Sequence, residues 1–155
     1  MFFADVQPGS ITNSPAMTNP RDVKYASESI AQWQEALKQR AMLATHNITF
    51  ACLRGFLHEL RGRLTLADIA TVGNHLPAVQ RGVFYQDWRP AGPLPTPDLA
   101  TFEAALAERL LPHVHMPDGL ARDVLWLIKT QSEPFDAAAI GAVLPEPLAE
   151  VWNRL

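Results

Sequence analysis

The chain has 155 residues, 48% of them hydrophobic and 19% charged, with a formal net charge of −3. That length and balance suit one globular domain with a proper core and exclude wholesale disorder. The acidic balance argues against binding a phosphate backbone as the primary role. No apolar run reaches membrane-spanning length, so the expectation is a soluble cytoplasmic protein with no nucleic acid and no membrane as partner.

Residues 1–25 are rich in Pro, Ser, Thr and Asn and carry no period, so they read as an extended N-terminal arm. Its opening, MFFADVQPGS, has no basic stretch followed by an apolar one and is not a secretion signal. Ser27 or Ser29 starts the first helix, Ser29 with Gln32 in capping-box position, and Ile30, Trp33 and Leu37 fill its apolar face. After a break near Thr45-His46-Asn47, Leu53, Phe56, Leu57, Leu60 and Leu64 recur at helical spacing as one buried stripe. The lone Cys52 can form neither an internal disulfide nor a cysteine-based zinc site, and reads as a small buried apolar residue. Gly62 loosens the end of that helix through its tolerance of the left-handed conformation.

Thr65 caps a third helix with Asp68 in its first turn, and Leu66, Ile69, Val72 and Gly73 form its apolar side. Leu76-Pro77 closes it and opens a fourth, which buries Val79, Val83 and Phe84 and completes a first unit over 26–88. Residues 89–97 hold four of the thirteen prolines and read as a stiff connection. Thr96-Pro97-Asp98 supplies cap, first-turn proline and acid for the next helix, whose stripe is Leu99, Phe102, Leu106 and Leu110. Pro117-Asp118 leads into a helix from Leu120 to Gln131. Ser132-Glu133-Pro134 and Pro145 start the last two, completing a second unit over 98–155.

Leu76-Pro77 returns 68 residues later as Leu144-Pro145, and at that spacing Asp68 meets Asp136, Gly73 meets Gly141 and Phe84 meets Trp152. The fold expected is therefore all-α: about eight helices in two pseudo-repeated four-helix units forming one compact bundle over 26–155. The run LHELRGRLTLADIATVGNHLPAVQRGVFYQDWRP resembles the prokaryotic family called domain of unknown function 2267. The likeness lies in Leu60-Arg61-Gly62-Arg63-Leu64, in Leu76-Pro77, and in the Arg81 to Pro90 segment, where Phe84 replaces the first of two tyrosines. It implies a helical domain and carries over no activity.

The candidate sites are few. His113 and His115 are weak metal candidates: their spacing is not the helical i, i+4, a third ligand must come from afar, and a polar loop is preferred. His58 and His75 read as boundary histidines bonded to carbonyls rather than ligands or bases. Asp68 and Asp136 stand at helix starts, which capping explains. No glycine-rich phosphate loop or nucleophile elbow occurs, so neither an enzyme nor a cofactor is expected. Arg81, Phe84, Tyr85, Trp88 and Arg89 form the candidate binding patch, of the residue types that dominate protein-interaction hot spots. In the alternative, Phe84 and Trp88 seal the junction between the units and Arg81 pairs with a core carboxylate. Arg61 and Arg63 with Arg81 and Arg89 make a local basic strip suited to an acidic protein partner. The preferred function is a non-enzymatic module that presents Tyr85 to Pro90 to a protein partner or to a second copy. The runner-up is a small-molecule or metal-binding protein using the cleft between the units, with His58, His75, His113 and His115.

Overall fold

Each helix start has a local cause. The hydroxyls of Thr45 and Thr65 accept the backbone N–H of Ile48 (3.1 Å) and Asp68 (3.2 Å), and the Asp98 carboxylate accepts that of Thr101 (2.7 Å). These are the oxygens that satisfy N–H groups left open in a first turn. Prolines, which lack an N–H to leave open, stand in the first turns of the last two helices. The structure, a computed structural model, describes residues 20–155. It holds eight helices there: α1 Pro20–Arg40, α2 His46–Arg61, α3 Leu66–His75, α4 Ala78–Tyr85, α5 Leu99–Leu110, α6 Leu120–Gln131, α7 Pro134–Gly141 and α8 Glu146–Asn153. Among the described residues there is no strand, and no helix is long and apolar enough to cross a membrane. The fold is all-α.

α2 runs through the middle of the bundle and packs on α1, α4, α5 and α6; α6 in turn packs on α1, α7 and α8. The stripe read from the sequence is what α2 buries: Leu53, Phe56, Leu57 and Leu60 are fully enclosed, with Leu64 just past its end. Removing each such side chain from water contributes about 1.5–3 kcal/mol. Phe56 meets Phe102 of α5 edge-on at 5.5 Å, and Trp33 and Leu37 of α1 and Val124, Leu127 and Ile128 of α6 complete one continuous core. Cys52 is part of it, and burial pushes its thiol pKa up to about 11. α5 comes close to α2 because Gly55 is a glycine: a Cβ there would lie 2.7 Å from Leu110 Cδ2.

The structure corrects several expectations. α1 begins at Pro20, not at Ser27 or Ser29, so residues 20–25 belong to a helix. Proline as first residue and Asp22 in the first turn supply a start signal that the periodless arm hides; residues 1–19 of that arm lie outside the described residues. Ser29 sits mid-helix, where its hydroxyl accepts from Gln80 Nε2 at 3.4 Å. Leu66 and Val79, expected in the core, are exposed, and α4 buries Gln80 with Val83 and Phe84. Asp98 itself is the cap of α5, one residue before Leu99. Gly62 is right-handed, φ −66°, and its carbonyl accepts from Leu94 at 2.9 Å, tying the proline-rich connection to the end of α2.

Candidate functional site

The site grows from the way α4 ends. Gln86 and Trp88 donate backbone N–H groups to the carbonyls of Val83 and Tyr85, and between them Asp87 takes the left-handed conformation (φ 55°). Asp and Asn are among the few side-chain-bearing residues that enter that region readily. The reversal lays Trp88, half-buried, against Tyr85 with ring centroids 5.7 Å apart; Tyr85 lies 5.2 Å from Phe84, which is fully buried. Tyr85 in turn rests on Gly73 of α3, and its hydroxyl donates to the Ile69 carbonyl at 3.3 Å.

The last carbonyls of α4 have no partner within the helix, and α2 supplies them. Arg61 Nη1 donates to Phe84 O (2.6 Å) and Gln86 O (2.9 Å), and one turn earlier His58 Nε2 donates to Val83 O (2.7 Å). A carbonyl can only accept, so Nε2 carries the proton. Cationic side chains at a helix C-terminus also oppose the negative end of its dipole. Behind them Glu59, almost fully buried, pairs with Arg63 Nε at 3.2 Å, and Arg109 Nη2 reaches it at 3.6 Å from α5. Arg63 also holds the Pro95 carbonyl.

These groups surround a cavity of about 230 Å³ walled by Arg61, Arg89, Arg109, His58, Trp88 and Ile69. His58 and Arg109 also wall an adjoining cavity of about 120 Å³, which adds Arg54 and His113. Among the described residues neither cavity has a carboxylate in its wall. The local field follows: burial presses the His58 pKa below the ordinary imidazole value, and Arg61, Arg109 and Arg54 push the same way against the opposing hydrogen bond to Val83. Burial and the neighbouring Arg109 likewise lower Arg61. An arrangement of this kind binds negative charge.

The model of the family described as "Uncharacterized conserved protein (DUF2267)" matches residues 31–152, from α1 to α8. The chain belongs to the DUF2267 family. No curated protein matches it.

In this DUF2267 protein the sequence-predicted residues part company. Trp88 and Arg89 reach the cavity, Arg89 exposed, Trp88 as its flat apolar wall. Phe84 is core, and Tyr85 props Trp88 from behind. Among the described residues Arg81 pairs with no carboxylate: Nε donates to Gly73 O (2.7 Å) and Nη2 to Leu76 O (3.0 Å) and Asn74 O (3.4 Å), closing the end of α3. Arg63 is buried on Glu59. Both therefore leave the basic strip, and Arg109 and Arg54, which sequence reasoning missed, take their place. The available signal was Gly55, a glycine on a buried helix face, which marks a close helix crossing and here brings α5 onto α2.

The histidines are not gathered. His75 of α3 bonds Asp136 of α7 at 2.8 Å with Phe135 edge-on at 5.4 Å, so Asp136 ties two helices where capping was expected of it. His113 and His115 are exposed on the loop before α6. Among the described residues no three His, Cys, Asp or Glu side chains stand together in a way that could hold a metal ion.

Proposed function

We propose that this protein is a non-catalytic interaction module whose docking surface is the Trp88 face, and that it takes an acidic segment of a protein partner there. One observation carries the assignment: Arg61, Arg89, Arg109 and His58 converge around a half-buried tryptophan with no carboxylate among the described residues of the wall, in a chain whose overall charge is −3. Tryptophan and arginine are the residues that concentrate binding energy in protein interfaces, and a local positive patch on an acidic protein selects a complementary partner. The relevant perturbation is Trp88→Ala with Arg89→Gln, since both side chains face the cavity and neither closes a helix end. Binding of a fluorescent Glu-rich peptide is expected to be salt-sensitive and to fall sharply in the double variant. A peptide that binds both proteins equally, or neither, disposes of the reading. If instead the variant changes the molecular mass in solution, the occupant is a second copy.

We further infer that the eight helices are two copies of one four-helix design, 20–88 and 98–155, joined by 89–97. Four correspondences at the 68-residue spacing support it. Arg61 donates to the Phe84 carbonyl, and Lys129 donates to the Trp152 carbonyl at 2.8 Å. Gly73 and Gly141 each lie under an aromatic ring, Tyr85 and Trp152, although at this spacing Trp152 aligns with Phe84, one residue before Tyr85. α2 packs on α4 as α6 packs on α8, and α2 meets α5 as α6 meets α1.

A further inference from the structure

The structure assigns a phosphate monoester, carried on a side chain of the protein partner, as the group that the cavity beside Trp88 receives. This deepens the docking reading above and rests on it.

The first argument is a charge count. Among the described residues four guanidiniums meet at this cavity, Arg61, Arg63, Arg89 and Arg109, with Arg54 in the adjoining one, against two carboxylates, Glu59 inside and Asp87 beside Arg61. Two positive charges are left over. A carboxylate would neutralise one of them; a phosphate monoester at neutral pH, carrying close to two negative charges, meets both.

The second is donor geometry. Both hydrogen bonds that Arg61 makes to α4 use Nη1. Its Nη2 and Nε donors remain, on a planar fork that fits two oxygens of one phosphate. Arg89 is exposed and lines the cavity, and Arg109, which lines it too, makes only a long contact to Glu59 at 3.6 Å. His58 Nε2 is engaged by Val83, and burial with the surrounding arginines keeps the imidazole neutral, so it walls the cavity without adding charge or a second donor. The groups facing it are Arg54 and Arg61 on its own helix, Arg109 from α5, Arg89 after α4 and His113 from the loop before α6; the acids in reach are Glu59 and Asp87. The third argument is shape. With one indole face on Tyr85, Trp88 offers an apolar wall for the carbons that carry the phosphate.

The experiment compares three probes by calorimetry: inorganic phosphate, an acidic peptide containing one phosphoserine, and the same peptide with serine. The phosphopeptide is expected to bind about ten-fold or more tightly than either other probe, the worth of one charge-assisted hydrogen bond. It is expected to move the Trp88 indole and His58 ring resonances. Arg89→Gln and Arg61→Lys are each expected to weaken it by about ten-fold or more. Arg61→Lys keeps the tie to Phe84, as Lys129 shows a lysine can for Trp152, but loses the fork. Unchanged far-ultraviolet dichroism and thermal midpoint separate loss of binding from loss of fold. Equal binding of the two peptides, with dependence on Arg89, overturns the phosphate assignment and leaves the docking surface standing. Inorganic phosphate binding as tightly as the phosphopeptide overturns the partner as its source. Phosphopeptide binding that neither variant changes places the site elsewhere, and no binding by any probe removes both readings together.

Discussion

Gly73→Ala puts the seating of Tyr85, and through it the position of Trp88, to the sharpest test. A Cβ on Gly73 would fall on the Tyr85 hydroxyl and stand 2.5 Å from Cζ and 2.6 Å from Cε2. These atoms belong to a rigid ring that cannot fold aside locally; either the ring swings out or α3 and α4 part. Swinging out forfeits the contacts with Phe84 and Trp88, about 1 kcal/mol each, and the bond to Ile69 O, about 1 kcal/mol more. Alanine returns about 0.8–1 kcal/mol as a better helix former than glycine. The net is a loss of about 2 kcal/mol. Gly82, in α4 with nothing within 4 Å of a Cβ, is the internal control: Gly82→Ala is expected to stabilise by about 0.8 kcal/mol. Urea unfolding followed by circular dichroism resolves a difference of about 3 kcal/mol between the two. In a Tyr85→Ala background Gly73→Ala is expected to turn stabilising, because the obstruction is gone. A Gly73→Ala protein as stable as the wild type would refute the reasoning.

Glu59→Gln leaves Arg63 buried without its counter-charge, and is expected to cost about 3 kcal/mol in urea unfolding; a loss under about 1 kcal/mol contradicts the pairing. Cys52, buried and with its thiol raised to about 11, is expected to resist an aromatic disulfide reagent at pH 8 in the native state and to react at once in denaturant. Fast native labelling contradicts its place in the core. His58 has a folded pKa below its unfolded value, so the native state holds fewer protons than the unfolded chain. Its contribution to stability is present above pH 6.5 and is lost as the pH falls through the depressed folded value. The wild type is expected to lose more stability than His58→Gln between pH 7.5 and 5.5, roughly the window of an imidazole titration; parallel profiles contradict it. Gly141→Ala, whose Cβ would stand 2.5 Å from Trp152 Nε1, is expected to destabilise by about 1–3 kcal/mol, the range for overpacking.

What the sequence could reveal followed from how many turns each pattern had. The α2 stripe runs for about three turns, over the second half of the helix and just past its end, and every member proved buried; its period left no second face to choose. α3 and α4 have only 10 and 8 residues, too few for a period to settle the first turn, and Leu66 and Val79 were placed on the wrong side. The cavity was half legible. Trp88 and Arg89 belong to the conspicuous aromatic run and Arg61 stands in the charged turn read alongside it, whereas Arg109 joins them only because α5 crosses α2 at Gly55. Arg81 and Arg63 were misjudged for a different reason. An arginine can be satisfied by main-chain carbonyls, as Arg81 is, and every residue has a carbonyl, so nothing in the sequence marks the partner.

That distinction separates scaffold from site at Arg61. Lys129 and Arg61 do one structural job, each closing the C-terminal end of a short helix by donating to its carbonyls at 2.8 Å and 2.6 Å. A compact ammonium suffices for it. Lys129 lies over the Trp152 ring at 5.5 Å and adds a second bond to the Leu155 carbonyl, so its charge is directed into the protein. Arg61 does the same work with one nitrogen, Nη1, and lines the cavity that Arg89, Arg109 and Trp88 also line. Structural need accounts for a cation at that position, not for a guanidinium, nor for three more arginines drawn to the same place around only two carboxylates. The surplus of charge and donors is what a ligand would use, and it is found beside Trp88 rather than beside Trp152.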